Sequence, residues 1–354
     1  MTRTSQRLPA IDGLKALACM MIIWHHLAFY GPMSDVLRPL APSLIDWLYD
    51  YGRMAVQVFL VVGGFLAAAS LAPQGVAVFD RPGQLILRRY VRLLLPLLVA
   101  LAAAIAVAAL VRPWLLHSSV PDAPSAWQLL SHLLLLQDLL GQEALSAGIW
   151  YVAIDFQLFV ISVALFTLAG KSRERAAQLG LVAVIALAAA SLFYCNRRVG
   201  LDITGGYFFG AYALGMLAWW ASRSHKPAAW LLALVVLGGL ALALDFRGRL
   251  ALALLVALAL VWLQRGPAAA RWLQAPWLLQ LGLMSYSVFL IHFPVLLLVN
   301  AVVSHFWPTQ LLANGLGLLA AFGLSLLAGA ALYRAVESPQ ARWRRPRSAS
   351  LLAP

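Results

Sequence analysis

The chain has 354 residues, is 63% hydrophobic and 11% charged, and has a mean hydropathy of +0.84. A soluble domain is about half apolar and a quarter charged, so this composition excludes a soluble fold and points to an integral membrane protein. The net charge of +13 sits in short loops between apolar runs, which reads as positive-inside topology and not as a nucleic-acid surface.

Long apolar runs without two-residue alternation predict an all-α, polytopic membrane protein with about ten transmembrane helices, not a barrel. The spans fall at roughly 11–31, 53–72, 92–112, 149–169, 176–195, 204–222, 228–245, 249–264, 282–303 and 312–335. Ser125 to Leu140 is a further apolar piece, too short to cross, that lies at the surface or re-enters the membrane. An even count puts both termini on one side, and most Lys and Arg gather there, so both termini are expected in the cytoplasm. Residues 1–340 read as one transmembrane domain and 341–354 as a basic cytoplasmic tail. Arg3 and Arg7 before an apolar run imitate a signal peptide, but no small-residue cleavage site follows, and the run is read as the first span. Cys19 and Cys195 lie in apolar segments and offer neither a disulfide framework nor metal-ligand spacing.

The first span carries Asp12, Lys15, His25 and His26. Ionisable groups inside a span are costly and mark a functional site by default. Lys15 and His26 are about three helical turns apart, so one helix face carries both, separated by roughly 16 Å along the axis. His25 and His26 point about 100° apart, so one of them faces any given cavity. In the second span, Gln57 is a deep uncharged polar side chain, and Gly63-Gly64 fits close helix packing or room for a ligand.

Arg88-Arg89-Tyr90-Val91-Arg92 enters the third span. The cluster fits an anchor on lipid headgroups, and equally a phosphate site, since guanidinium forks match phosphate oxygens. Asp155 and Gln157 lie in the first turns of the fourth span; a carboxylate there fits an interfacial residue facing water or one that orients an embedded histidine. Ser285-Tyr286-Ser287 leads to His292 and Pro294, where the histidine is either a second substrate-side group or a cap on carbonyls freed by the proline. Glu337 follows at the end of the last span, within reach of the tail arginines.

Taken in order, "IDGLKALA…HH", "GRMAVQVFLVVGGFL", "RRYVRLLLP", "WYVAIDFQLF", "SYSVFLIHFPV" and "VESP" resemble the successive landmarks of the membrane-bound acyltransferase 3 family. The resemblance covers nearly the whole chain. It implies transfer of an acyl group, often acetyl, from cytoplasmic acyl-CoA to a hydroxyl of a glycan, lipid-linked sugar or small molecule, in the bacterial inner membrane. It implies His26 as general base or transient acyl carrier, with Asp155 as its orienting carboxylate. Arg89 and Arg92, with Arg88 and Lys15, would hold the CoA phosphates, and His25, Gln57, Gln157 and His292 would stand on the substrate side. No metal is implied. Lys15 stands where the family has Arg, Gly63 where Ser is usual, and Asp155-Phe156 where two Glu residues are common. The rival reading is a proton-coupled transporter or flippase, in which Lys15, His26 and Asp155 form a relay; the repeated halves and paired broken helices of many transporters are not seen.

Overall fold

We describe residues 9–172 and 174–338 of a computed structural model, leaving aside the side chains of 267–270. Arg3, Arg7, Arg173, Pro339 and the tail 341–354 fall outside the described residues. The regular elements are α1 (Pro9–Phe29), α2 (Pro32–Leu37), α3 (Pro42–Tyr51), α4 (Val56–Leu71), α5 (Pro82–Val111), α6 (Ala126–Leu133), α7 (Ile149–Gly170), α8 (Ala176–Phe193), α9 (Gly205–Arg223), α10 (Pro227–Leu244), α11 (Gly248–Arg265), α12 (Pro276–Phe306) and α13 (Leu311–Leu332), with short 3-10 turns and a π turn, Tyr333–Glu337, closing the last helix. Pro9, Pro32, Pro42, Pro82, Pro227 and Pro276 each open a helix, where a missing N–H costs nothing and the fixed φ is already helical.

Eight helical stretches are long and apolar enough to cross a membrane: Pro42–Leu71, Pro82–Val111, Ile149–Gly170, Ala176–Arg197, Pro227–Leu244, Gly248–Arg265, Pro276–Phe306 and Leu311–Glu337. The other two spans expected from sequence are α1 and α9. They are helices, yet less apolar; in α1 the cause is Asp12, Lys15, His25 and His26. Fifteen of the nineteen residues of α9 are buried, and it packs against α4, α7, α8, α10 and α11. The third helix α5 begins ten residues before the expected start of that span, so Arg88 and Arg89 lie within it and not in the loop before it.

Two groups of helices build the molecule. One surrounds α9; the other holds α12 against α1, α5 and α13. Glycines set the spacing inside each. A Cβ on Gly64 would overlap the Tyr212 carbonyl, and one on Gly215 would overlap that of Val61, so α4 and α9 approach backbone to backbone. A Cβ on Gly282 would likewise overlap the Asp12 carbonyl where α12 meets α1.

The α1–α12 contact runs in parallel register. Asp12 lies beside Gly282, Cys19 donates to the Ser285 carbonyl at 3.5 Å, His26 meets His292, and Gly31 faces Asn300. We call the end where α1 begins the near end and the end where it finishes the far end.

The piece between α5 and α7 enters the bundle. Tyr90, about 12 Å along α5 from its start, donates to the Leu133 carbonyl at the end of α6 at 2.6 Å. His132, Leu135, Gln137 and Leu145 are buried. Of the two sequence alternatives for this segment, the structure gives re-entry.

Candidate functional site

Two histidines meet where α1 and α12 run side by side. His26 Nδ1 lies 2.6 Å from His292 Nε2, and both rings are buried. Their centroids are 4.9 Å apart with planes 5° from parallel; with the nitrogens this close, that separation places the rings edge to edge. The protons follow from the next partner. His292 Nδ1 lies 2.6 Å from the Phe289 carbonyl, which only accepts, so Nδ1 carries the proton of a neutral His292. Its Nε2 is then an acceptor, His26 Nδ1–H donates to it, and His26 Nε2 holds a lone pair. The carbonyl that His292 takes is that of Phe289, not the Leu290 carbonyl that Pro294 leaves free.

His25 turns elsewhere. Its Nδ1 donates to the Leu48 carbonyl at 2.9 Å, tying α1 to α3, and a Cβ on Gly52 would press on its side chain. The two adjacent histidines therefore serve two different helix contacts, as their 100° separation requires.

A second constellation joins α5 to α7. Arg89 pairs with Asp155 at 2.5 Å and lies over the Phe159 ring, 5.3 Å from its centroid. Arg89 Nε is buried and has no partner among the described residues. Asp155, expected beside a histidine, finds its hydrogen-bond partner in a guanidinium. Gly63 lies against this pair: a Cβ there would stand 3.1 Å from the Tyr212 ring and 3.8 Å from Asp155 Oδ1. Adjacent Gly64 serves helix packing, so the two glycines face different neighbours.

At the near end Lys15 pairs with Asp12 at 2.9 Å, three residues before it. Ser287 donates to Glu337 at 2.7 Å, and Arg92 and Lys15 are within electrostatic reach of that carboxylate. Arg88 and Arg92 are exposed. Glu337 thus turns inward to α12. The tail arginines that sequence reasoning set against it lie outside the described residues.

Gln157 accepts from the Gly205 N–H at 2.7 Å and caps the start of α9. That bond accounts for a polar side chain placed on the substrate side by sequence. Gln57 is buried and makes no hydrogen bond to a described residue. Between the histidines and the ion pair stands an aromatic wall: Phe59, Tyr151 and Phe289 touch one another with centroids 5.7–6.4 Å apart, and Phe289 touches His292 at 6.0 Å. Tyr30 touches His26 at 5.3 Å from the far side. Sequence reasoning singled out none of these rings as site residues; the aromatic at i+4 from His26 was the available signal for Tyr30. Among the described residues no group of three or more His, Cys, Asp or Glu is placed to hold a metal ion.

A family model described as "Acyltransferase domain" matches residues 8–334, nearly the whole chain. The chain is also similar to the "Regulator of hypoxia-inducible factor 1" of Caenorhabditis elegans, 25% identical over 209 residues. That match takes in 55% of this chain and 41% of the relative, so the chain spans under half of the relative's length. No solved structure matches.

Proposed function

The chain belongs to the acyltransferase domain family, and from that premise we propose that it is a membrane O-acyltransferase with His26 as its general base. In this reading acyl-CoA, acetyl-CoA in the simplest case, gives its acyl group to a hydroxyl of a glycan, lipid-linked sugar or small molecule. The observation that carries it is the His26–His292 hydrogen bond, which leaves His26 Nε2 unprotonated inside the bundle.

The near end is the cytoplasmic face of a bacterial inner membrane, with both termini on that side. The CoA phosphates sit on the exposed Arg88 and Arg92 with Lys15 beside them, where guanidinium forks and an ammonium match phosphate charge. The pantetheine arm runs along α1 toward His26. His26 Nε2 takes the proton of the acceptor hydroxyl as its oxygen attacks the thioester carbonyl carbon. The tetrahedral intermediate collapses with cleavage of the C–S bond, and the CoA thiolate leaves and takes the proton back from His26. His292 accepts the His26 Nδ1–H throughout, which fixes the tautomer and the ring plane. Arg89 is spent on Asp155, so it positions α5 against α7 and leaves phosphate contact to its neighbours.

The test is calorimetric titration of detergent-purified protein with acetyl-CoA, together with CoA release over time. Saturable binding that an Arg88→Ala, Arg92→Ala variant loses, and turnover that His26→Ala abolishes without loss of acetyl-CoA binding, support the reading. Turnover at the wild-type rate in His26→Ala sinks it.

A further inference from the structure

Two loops, 194–204 between α8 and α9 and 245–247 between α10 and α11, carry with the first turn of α11 four arginines, Arg197, Arg198, Arg247 and Arg249, against Asp202 and Asp245. They lie at the far end: a Cβ on Gly248 would stand 3.5 Å from Met54 Sδ, two residues beyond the Gly52 that packs on His25. In the topology proposed above this end faces away from the cytoplasm, so positive-inside bias does not account for these arginines.

One of the four is spent on the fold. The Arg247 side chain is 10% exposed. It donates to the Leu192 carbonyl from both Nη atoms at 3.2 and 3.1 Å, to the Ala241 carbonyl at 3.3 Å and to Asn196 Oδ1 at 2.6 Å. Leu192 and Ala241 lie in the last turns of α8 and α10, where carbonyls are open to an outside donor. One guanidinium therefore joins two helix ends to the loop between α8 and α9. Asn196 Nδ2 donates on to the Tyr207 carbonyl at 3.1 Å, which ties the same loop to α9.

Arg197 and Arg249 are not spent in this way, and both are within electrostatic reach of Arg247. Arg197 Nε stands 3.4 Å from Asp245 Oδ2, an oxygen that Arg247 shares at 3.6 Å. Arg249 gives Nη2 to the Asn196 carbonyl at 3.1 Å and lies over the Tyr207 ring, 4.9 Å from its centroid. Its Nε and Nη1 meet no acceptor among the described residues. Asp202 lies within electrostatic reach of Asp138. Three guanidiniums thus crowd the Asp245 carboxylate, and the first turn of α11, which holds no acidic residue, adds the positive end of its dipole.

Water alone hydrates an exposed guanidinium, so charge by itself names no ligand. The rim does. Val199 and Phe246 are 79% and 76% exposed, and Tyr194 and Leu244 are also exposed. Arg198 lies on the Tyr194 ring, 3.9 Å from its centroid. Outward-facing apolar and aromatic side chains among arginines are the pattern of the bilayer interface. Three of the eighteen residues of α10 are buried, so most of that helix is left to lipid. We propose that Arg197 and Arg249 hold the phosphodiester of an anionic phospholipid, phosphatidylglycerol in the simplest case, with its acyl chains along Phe246, Leu244 and α10. Guanidinium forks match the phosphate oxygens. Free inorganic phosphate offers the same oxygens and nothing for the rim. The proposal does not depend on the acyltransfer reading.

The experiment uses full-length protein in a nonionic detergent. Phosphatidylglycerol or phosphatidylcholine is added to the micelles, or inorganic phosphate alone to the buffer, and melting temperature is read against the amount added. Phosphatidylglycerol is expected to raise wild-type melting saturably, and phosphatidylcholine to leave it in place. Each arginine beside an anionic lipid contributes about fivefold in affinity, so half-saturation should rise about fivefold in Arg197→Gln and about 25-fold when Arg249→Gln is added. Arg38→Gln, at the same end but paired with Asp46, should leave half-saturation unchanged. Half-saturation unmoved in Arg197→Gln overturns the proposal, and so does an equal rise in Arg38→Gln. An equal effect of phosphatidylcholine, or the full effect from inorganic phosphate alone, overturns it as well. Should the double variant fail to fold, Arg197→Gln decides, because that side chain is 49% exposed and meets Asp245 only at 3.4 Å.

Discussion

Arg89 and Asp155, sixty-six residues apart in the chain, form an ion pair that fastens α5 to α7 inside the bundle. Removing one member strands the other charge. The Asp155 side chain is 10% exposed and that of Arg89 27%, so the penalty is below the full cost for a wholly buried pair: about 2–3 kcal/mol is expected for Asp155→Ala. Replacing both, as Arg89→Met with Asp155→Leu, removes the stranded charge and should recover most of that loss. Melting temperatures in detergent of the two single variants and the double variant decide it; additive losses would show that the two residues do not act as a pair.

His292 should separate into two behaviours. In His292→Gln the amide can accept from His26 Nδ1–H and donate to the Phe289 carbonyl, so turnover is expected within about tenfold of wild type. His292→Phe leaves His26 Nδ1–H unpaired and its tautomer unfixed, and turnover should fall about a hundredfold or more. The Michaelis constant for acetyl-CoA should hold in both. Equal loss in both variants would count against the proton order read from the Phe289 carbonyl.

His25→Ala removes the bond to the Leu48 carbonyl, and a stability loss of about 1 kcal/mol is expected, with turnover within a few-fold of wild type. His26→Ala should lose turnover altogether, together with about 1–3 kcal/mol of stability from leaving the buried His292 Nε2 without its donor. An inactive His25→Ala beside an active His26→Ala would exchange the two assignments.

The glycine pair makes a sharp contrast. Gly64→Ala drives a methyl into the Tyr212 carbonyl, and the α4–α9 contact has to open; folded protein recovered after detergent extraction should drop steeply. Gly63→Ser meets the edge of the Tyr212 ring and stands near Asp155, so it is expected to fold and melt near wild type. Size-exclusion yield and melting of the two variants compare them directly.

The helical, polytopic fold was legible in the sequence because long apolar runs have few alternatives in a bilayer. Span boundaries were less so: α5 starts ten residues early because Arg88, Arg89 and Arg92 interrupt the apolar run near its start. The polar residues of the site were also visible, since Asp12, Lys15, His25, His26, Gln57 and Asp155 interrupt apolar runs. Their partners were not. Asp155 is joined to Arg89 and Glu337 to Ser287 by distances that periodicity does not encode. The partner of Gln157 was hidden too, because it is a backbone N–H on another helix, which no side chain announces.

The histidine pair joins positions 266 residues apart, the first helix to the twelfth. During synthesis α1 enters the membrane long before α12 exists, so His26 waits in the bilayer without the group that fixes its proton. The pair forms only when α12 has been made and inserted. A chain released before residue 292 lacks the group that fixes the His26 proton, so premature termination leaves that imidazole without a defined tautomer.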